Sequence, residues 1–429
     1  GQREELVKNL PHSKVLHTID EREQICDNCG STMVKVGEEF VRTEVQFIPA
    51  KLKVIDHYRE TYECRSCRKN GTPYMEKAPV PYPPVLHSLA SASTITWLIH
   101  QKFELSIPLY RQEKEWEALG LRLSRATMSN WLLVVYRDWL VHIVHRLKLE
   151  LLKQRYLHID ETHVQVLKEP GRKNTSDSYM WVYCSIRDAV NPIRYFEYQP
   201  GRSGKYPEAF LREYEGYIHT DAYSGYNAVS GVKRCLCYTH LRRAFVDALP
   251  KDIHNSEASK PAEAILRLNQ LFNIESELEA LPPDQKKKER LIREKPLLEA
   301  FWSWAEKSAI GELPKSKLSK AFHYALNNRE GFWNYLEDGN CSISNSLAEN
   351  CIRPFVIGRK NWLFSGSPKG AEASAGIYTL VETAKANGLA PMKYIKYILS
   401  DMPGSAFLEH PEYLDDYLPW NPLVKEFCR

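Results

Sequence analysis

The stretch Arg155-Tyr-Leu-His-Ile-Asp160-Glu-Thr-His-Val-Gln-Val-Leu167 alternates apolar with polar residues and is rich in β-branched side chains. This pattern predicts a β-strand. Two further β-rich runs follow at 178–186 and 192–198, with turn-forming residues between them. Because the connections are short, the three strands are expected to form an antiparallel meander.

The residues after the meander predict a mixed α/β layer. We expect a short helix around 207–214, a strand at 216–221, and a strand at 233–238 that leads into a basic helix. The order β-β-β-α-β-α-β is that of a ribonuclease-H-like core, so the expected fold class is α/β. Residues 255–335 have helical patterns only, which predicts a helical insertion into this core.

Composition excludes several classes of protein. The chain has 429 residues, of which 43% are hydrophobic and 26% charged, values typical of a globular protein with two to four domains. No apolar run is long enough to span a membrane, and the N-terminal residues are unlike a signal peptide, so we expect no membrane partner. The net charge of +4 is too small to indicate nucleic-acid binding by itself.

The predicted organisation has seven parts. Polar N-terminal residues lead into cysteine pairs, a proline-rich stretch follows, and helical and strand patterns then alternate along the chain. We expect a zinc-binding domain at 1–72, an extended linker at 73–84, a helical domain at 85–150, the first part of the α/β core at 151–250, a helical insertion at 251–338, the second part of the core at 339–400, and a C-terminal tail at 401–429.

Two C-x-x-C pairs account for four of the ten cysteines: Cys26 with Cys29, and Cys64 with Cys67. Four thiolates in two knuckles are the donor set of a closed structural Zn²⁺ site, and a redox or free-thiol role is the alternative. Between the pairs, residues 38–48 and 51–62 alternate apolar and polar residues around Pro49-Ala50, which predicts a β-hairpin or ribbon.

Two adjacent helices are predicted within the helical domain. The first runs from Pro108 to Leu119 and is ended by Gly120, and Ser124 is placed to cap a second helix that continues through Trp131. This pair fits a DNA-binding helix-turn-helix and fits an ordinary αα-hairpin equally well.

Three carboxylates form a candidate site for a hard divalent cation. Asp160 and Asp221 each stand at the end of an apolar β run, and adjacent strand ends can hold carboxylate oxygens rigidly. Glu349, on a later helix, would complete the site. Glu161 is a rival for Asp160, but neighbouring strand residues point to opposite faces, so only one of them can join Asp221; we choose Asp160.

Several motifs resemble the transposase of the insertion sequence 66 family, and the likeness extends over nearly the whole chain. The matching segments are His158–Leu167, Thr220–Asn227, Cys237–Phe245, Asn345–Pro354, Gly358–Gly366 and the C-terminal Pro-Trp-Asn-Pro. Pro108 to Trp131 is also similar to a family segment. The sequence begins without an initiator Met, so we expect that upstream segments are missing. Family members usually carry an additional N-terminal helical region, and this sequence departs from them because it begins too late to show one.

The resemblance implies a function and its cofactors. Transposases of this family are DDE enzymes, and Asp160, Asp221 and Glu349 match their triad in order and context. It implies Mg²⁺ or Mn²⁺, as two catalytic ions, and a zinc-binding N-terminal domain. The expected activity is cleavage of DNA at transposon ends and strand transfer into target DNA, by a homodimer or higher oligomer, with accessory proteins of the same element. The expected location is the bacterial cytoplasm, in association with the nucleoid.

Further residues are candidates for supporting roles. Cys237 and His240 form a C-x-x-H motif like that of several DDE transposase groups, and we expect it to be structural. The candidate DNA contacts are Arg242, Arg243, Arg353, Arg359, Lys360 and Trp362. Core packing is the alternative for Trp362, and for the tryptophans of the helical insertion, Trp302, Trp304 and Trp333.

Two other functions remain open from the residues alone. A metal-dependent nuclease on the same fold would hydrolyse DNA without joining it. An inactive zinc-ribbon regulator would bind DNA and never cut it, although the intact triad argues against this alternative.

Overall fold

The computed structural model describes residues 5, 7–8, 11–45, 50–250 and 259–429, and divides the chain into two units, residues 1–51 and 52–429. In the first unit, a 3-10 turn at Glu21–Glu23 precedes an isolated antiparallel bridge between Ile25 and Thr32. Gly30 has a φ of +69° and donates its N–H to the carbonyl of Cys26 at 2.8 Å. The bridge therefore closes a tight turn around the first cysteine pair.

The β-ribbon predicted between the cysteine pairs is wrong over the described residues, because 33–45 and 50–60 contain no strand. Residues 46–48 of the prediction lie outside the described part. The alternating aliphatic side chains face solvent, with Val36 97% and Val54 82% exposed. Alternation stabilises a ribbon only when one face is buried against a core, and these residues have no such core.

The second cysteine pair lies in a small local structure of the second unit. Strand β1 (Thr61–Glu63) pairs antiparallel with β2 (Met75–Lys77), and the short helix α1 (Arg65–Lys69) lies between them. Strand β2 falls in the segment predicted as an extended linker. The Cys64 N–H donates to the Tyr74 carbonyl at 2.9 Å, which holds the second knuckle against this pair of strands.

A mixed sheet forms the centre of the second unit. Its strands are β3 (Tyr156–Val166), β4 (Asp177–Ser185), β5 (Arg194–Gln199), β6 (Gly216–Thr220), β7 (Val232–Leu236) and β8 (Phe364–Ser365). The order is β5-β4-β3-β6-β7, and β8 pairs with the end of β3. Strands β3, β4 and β5 are antiparallel neighbours, which confirms the predicted meander, whereas β6 runs parallel to β3 and β7 parallel to β6.

The connection between β6 and β7 differs from the prediction. The helix expected there is replaced by a 3-10 turn at Ser224–Ala228. Only residues 221–231 separate the two parallel strands, and an α-helical crossover normally needs a dozen residues or more. The mixed α/β class is nevertheless the one predicted.

Helices surround the sheet on the described part of the chain. Their bounds are α2 (Ala92–Ile99), α3 (Leu109–Ala118), α4 (Arg125–Val135), α5 (Val141–Leu152), α6 (Lys205–Phe210), α7 (Tyr238–Val246), α8 (Lys260–Glu277), α9 (Pro283–Arg293), α10 (Lys295–Ala309), α11 (Lys317–Asn327), α12 (Arg329–Trp333), α13 (Ser346–Trp362), α14 (Pro368–Ala386), α15 (Pro391–Asp401) and α16 (Pro422–Cys428). Among the described residues, no helix combines the length and apolarity that a membrane span requires.

The edge strand β5 is covered by helix α14. The backbone N–H groups of Arg194 and Phe196 donate to the hydroxyls of Thr383 and Thr379, at 3.0 and 2.8 Å. All four residues are buried. The helix thus satisfies an edge that would otherwise be open to pairing with another strand.

The predicted helix pair is present as α3 and α4. The Ser124 hydroxyl accepts from the Thr127 N–H at 3.1 Å, so the predicted cap is confirmed. Met128 and Trp131 of α4 are buried in the main core. The buried side of α4 fits both the helix-turn-helix and the αα-hairpin.

The insertion helices α8, α10, α11 and α12 share a second hydrophobic core with α7 and β7. Trp302 lies in it and is fully buried, as core packing requires. At its base, the Arg290 guanidinium pairs with Glu275 at 2.5 Å and donates to the carbonyls of Asp338 and Cys341 at 3.0 and 2.8 Å. This buried pair ties the insertion to the segment that leads into α13.

Candidate active site

Parallel pairing of β3 and β6 brings two of the predicted carboxylates together. His158 of β3 lies opposite His219 of β6 in the register. Asp160 and Asp221 each follow two residues after one of these histidines. Neighbouring strands are about 4.8 Å apart, and both aspartates lie on the same face because side chains alternate. The two carboxylates therefore lie near each other where β6 ends, close enough for the charge of Asp221 to raise the pKa of Asp160.

A pair of neutral imidazoles supports these carboxylates. The rings of His158 and His219 stack at 4.2 Å with an interplanar angle of 11°. His219 donates from Nδ1 to the Leu157 carbonyl at 3.1 Å and accepts at Nε2 from the Ser342 N–H at 2.9 Å. Burial, with a contribution from His219, lowers the pKa of His158 well below its usual value. The layer beneath the site is therefore uncharged and rigid.

Asn345 attaches the start of α13 to this layer. Its Nδ2 donates to the Ile159 carbonyl at 2.8 Å, and its Oδ1 faces His158 Nδ1 at 3.0 Å. Its backbone N–H donates to Cys237 Sγ at 3.1 Å. Sequence reasoning did not assign Asn345 this role, and the signal available was an Asn directly before the helix that carries Glu349.

Glu349 lies one turn into α13, close to two basic side chains. Its Oε1 is 3.7 Å from His240 Nδ1, and its Oε2 is 3.8 Å from the guanidinium of Arg243. Oε1 is buried and has no hydrogen-bond partner among the described residues. The carboxylate oxygen is therefore available to a ligand.

The acidic groups of the site influence one another. Burial raises the pKa of Asp160 to about 7, and the charge of Glu161 together with those of Asp221 and Glu349 adds to this effect. Carboxylates that repel one another in a partly buried site are suited to a divalent cation, whose charge compensates for theirs. Carboxylate oxygens are the donors that a hard ion such as Mg²⁺ or Mn²⁺ prefers. Among the described residues, however, Asp160, Asp221 and Glu349 do not form a group of donor atoms that all lie within 4.8 Å of one another.

The charge of Glu161, the alternative to Asp160, is compensated by the guanidinium of Arg202. Its carboxylate accepts from Arg202 Nε at 2.6 Å and from the Tyr226 hydroxyl, and its side chain is only 2% exposed. Asp160 accepts instead from the backbone N–H of Glu161, at 2.9 Å. The Arg202 guanidinium also lies 3.9 Å from Asp221 Oδ2, so it is close to the carboxylates of both Glu161 and Asp221.

The cysteine pairs lie in different units, and each forms its own knuckle. Hydrogen bonds from Ser31, and one with Cys26, lower the pKa of Cys29. In the second knuckle, hydrogen bonds with Cys67 lower the pKa of Cys64. Each pair thus has its two thiols in local contact and a thiol inclined to ionise, as a zinc knuckle requires.

The predicted DNA contacts fall into two groups. Arg243, Arg353 and Lys360 are exposed. Arg242 and Arg359 have partners within the protein, since Arg242 donates to Asn269 at 2.8 Å and Arg359 to Thr162 at 3.1 Å.

Trp362 is half-buried and packs edge-on against Phe355, with ring centroids 5.3 Å apart. This contact agrees with the core-packing alternative for Trp362. The structure brings the C-x-x-H motif, Cys237 and His240, next to Glu349.

Comparison with known families now identifies the chain. Residues 87–373 match the family described as Transposase IS66 family, and residues 23–68 match the zinc-finger binding domain of transposase IS66. The chain belongs to the IS66 transposase family. This IS66 transposase is accordingly a DNA-processing enzyme, with DNA as its partner and a structural zinc domain at its N-terminal end.

Two relatives from one organism align with most of this chain. "Uncharacterized protein y4hP" of Sinorhizobium fredii (strain NBRC 101917 / NGR234) is 27% identical, over 92% of this chain and 73% of its own length. "Uncharacterized protein y4jD" of the same organism is 26% identical, over 97% of this chain and 81% of its own length.

Proposed function

We propose that this IS66 transposase cuts DNA at transposon ends and joins the freed end to target DNA, with Asp160, Asp221 and Glu349 as its metal-binding triad. One observation carries the proposal. Asp160 on β3 lies near Asp221, which follows the parallel strand β6, and the helix that carries Glu349 is hydrogen-bonded to β3 through Asn345. Three carboxylates on one rigid frame are what two-metal phosphoryl transfer needs.

The side chains have separate tasks in this proposal. When bound, Mg²⁺ or Mn²⁺ ions supply the charge that activates the attacking oxygen and stabilises the leaving oxygen. Asp160 contributes a carboxylate from the middle of β3, Asp221 contributes one directly after the end of β6, and Glu349 adds a third from α13. Arg202 keeps Glu161 neutralised, so this second carboxylate does not compete for the ions.

The sheet supports a ribonuclease-H-like core. The order β5-β4-β3-β6-β7, with an antiparallel meander followed by two parallel strands, supports this core, although a 3-10 turn replaces the helix expected between β6 and β7. We retain the predicted division into a zinc domain (1–72), a linker (73–84), a helical domain (85–150), a core (151–250 and 339–400) interrupted by the insertion (251–338), and a tail (401–429).

Zinc and DNA contacts complete the proposal. Cys26, Cys29, Cys64 and Cys67 are the proposed zinc ligands, and the zinc-finger match over residues 23–68 supports a structural ion there. Arg243, Arg353 and Lys360 are the proposed phosphate contacts, because their charges are exposed. Work on two transposon ends requires a dimer or larger assembly, and accessory proteins of the same element are proposed partners.

A strand-transfer assay tests this function. Labelled DNA from the flanks of the gene is incubated with a supercoiled target and Mg²⁺ or Mn²⁺, with wild type and Glu349→Gln in parallel. We expect joined product from the wild type and none from the variant. Glu330→Gln, at an exposed acid of α12, is the matched control and should join DNA normally.

The other outcomes separate the alternative functions. Cutting without joining would favour the nuclease. DNA binding in EDTA without any cutting, from a folded and zinc-loaded protein, would favour the regulator. Inverted repeats flanking the gene are needed only by a transposase.

A further inference from the structure

A second set of metal donors lies beside the carboxylate site. Cys237 directly precedes helix α7, His240 lies in the first turn of that helix, and Glu349 faces them from α13. One ligand atom from each, a thiol sulfur, an imidazole nitrogen and a carboxylate oxygen, lie within 4.8 Å of one another. The sequence singled out Cys237 and His240 as a structural motif, and the proposed reaction gives them no task.

The spacing of these donors fits a tetrahedral ion. His240 Nδ1 and Glu349 Oε1 are 3.7 Å apart. Zinc bonds of about 2.0 to 2.3 Å at tetrahedral angles place neighbouring donor atoms roughly 3.3 to 3.7 Å apart. The Cys237 sulfur lies within 4.8 Å of both atoms, so a zinc ion between the three donors requires the sulfur to approach by up to about 1 Å.

The nitrogen and oxygen donors of this group have no hydrogen-bond partner among the described residues. These two atoms, His240 Nδ1 and Glu349 Oε1, are both buried. Arg243 approaches the other oxygen of Glu349, Oε2, at 3.8 Å and leaves Oε1 unopposed. Two buried polar atoms that face each other without a partner are rare unless a ligand joins them.

The sulfur is placed to act as a thiolate. Cys237 Sγ accepts from the backbone N–H of Asn345 at 3.1 Å. Burial raises the pKa of Cys237, whereas the N–H groups of Asn345, His240 and Thr239 lower it. These N–H groups are the partners that a metal-bound thiolate needs in a buried site, and metal binding supplies the free energy to release the proton.

A neighbouring cluster shows why this set is different. His219, Cys235 and Cys341 also lie within 4.8 Å of one another, and all three are buried. However, His219 donates from Nδ1 to the Leu157 carbonyl and accepts at Nε2 from the Ser342 N–H. Its imidazole has no lone pair left for a metal ion, so the cluster serves as an internal control.

We propose that Cys237, His240 and Glu349 form a zinc site with an open fourth position. Three protein ligands with one position left open are typical of exchangeable zinc. Because Glu349 is shared, zinc held here withdraws a carboxylate from the Mg²⁺ site; this consequence, unlike the zinc site itself, rests on the proposed function. Zinc would then inhibit DNA cleavage through Cys237 and His240.

Metal binding tests the site without any need for activity. The full chain, loaded with zinc at its N-terminal cysteines, is dialysed to equilibrium against Zn²⁺, and zinc per chain is measured for wild type, Cys237→Ser, His240→Ala and Cys341→Ser. We expect the first two variants to hold one zinc fewer than wild type, and Cys341→Ser to hold the same number. Circular dichroism establishes that each variant is folded.

Cobalt provides an independent readout of the sulfur. With Co²⁺ in place of the exchangeable zinc, a thiolate-to-cobalt absorption band should appear in wild type and Cys341→Ser and be absent from Cys237→Ser. Equal zinc content in wild type, folded Cys237→Ser and folded His240→Ala would overturn the proposal. Loss of zinc from Cys341→Ser alone would also overturn it and assign the ion to the other cluster.

Inhibition tests the consequence for catalysis. In the Mg²⁺ strand-transfer assay, the zinc concentration that halves each protein's own activity should rise at least tenfold in His240→Ala. An unchanged concentration would contradict the shared use of Glu349. Zinc binding by an inactive wild type would contradict the proposed function and leave the zinc site standing.

Discussion

The carboxylate site on the central strands β3 and β6 and the N-terminal cysteine segments differ in what holds them in place. At the carboxylate site, Asp160 and Asp221 each lie two residues beyond a buried histidine, and the rings of these two histidines stack. Asn345 connects helix α13 to strand β3 by a hydrogen bond. In the cysteine segments, described apolar side chains such as Phe40 and Tyr58 are 79% and 91% exposed. Packing therefore arranges the first region, whereas the second buries little apolar surface, so we expect its stability to depend on metal ligation.

The largest expected effect is therefore the loss of zinc from the cysteine segments. Structural zinc contributes about 10 to 16 kcal/mol of binding free energy in small zinc domains. In Cys26→Ser, we expect the amides of Gly30 and Thr72, which donate to the carbonyls of Cys26 and Cys67, to lose protection in hydrogen exchange. The amides of β3 should keep theirs. Cys428→Ser is the control, and protection retained in Cys26→Ser would break the comparison.

Removal of a triad carboxylate should abolish catalysis with little change in the fold. We expect Asp160→Asn to reduce strand transfer by about 10³-fold or more, since metal ions contribute several kcal/mol of transition-state stabilisation. Rates of joining and thermal unfolding are measured together. A fully active Asp160→Asn with an inactive Glu161→Gln would transfer the metal-binding role to Glu161.

The buried ion pair of the insertion, between Arg290 and Glu275, is expected to contribute to the free energy of unfolding. Arg290→Met leaves the buried Glu275 with Lys286 as its remaining cation, at 3.2 Å, so we expect the free energy of unfolding to fall by roughly 3 kcal/mol, the lower end for a broken buried pair. Urea titration measures this loss, and the double variant Arg290→Met, Glu275→Met should recover most of it. Arg293→Met, on the same helix, removes only an exposed pair with Glu277 and is expected to have no measurable effect. Equal effects of Arg290→Met and Arg293→Met would contradict this account.

Asn345 sharpens the claim that packing positions Glu349. In Asn345→Ala, the Ile159 carbonyl and the His158 imidazole lose their buried partner, at a cost of about 1 to 3 kcal/mol per group. A small displacement of Glu349 should also lower the rate of joining by roughly 10²-fold. Chemical denaturation and single-turnover rates measure the two effects. An unchanged rate in a destabilised Asn345→Ala would mean that α13 is positioned by other contacts.

Much of the sheet was predictable because its signals are local. The alternation in 155–167 and the short connections to the next two runs predicted the meander. The end of the apolar run predicted where Asp221 stands, whereas Asp160 lies in the middle of β3 and not at its end. The same alternation in 38–45 and 51–60 gave a wrong prediction. A period of two specifies a ribbon only where a core buries one face.

Other features of the site depend on contacts that no local pattern encodes. Asn345 meets His158 across 187 positions of the chain, and Arg290 meets the Cys341 carbonyl across 51. Glu161 is removed from competition with Asp160 by two partners. Arg202 lies in the loop after β5, and Tyr226 lies in the turn after β6. Such roles become visible only once the strands and helices are assembled.

The most direct test of the central claim is the position of bound Mn²⁺. Crystals of the full chain are soaked in Mn²⁺, and anomalous diffraction locates the ions. The account predicts an ion bound by both Asp160 and Asp221, with Glu349 ligating in the same site. Manganese bound at Glu161 instead, or none at all between Asp160 and Asp221 in a folded, zinc-loaded protein, would contradict it.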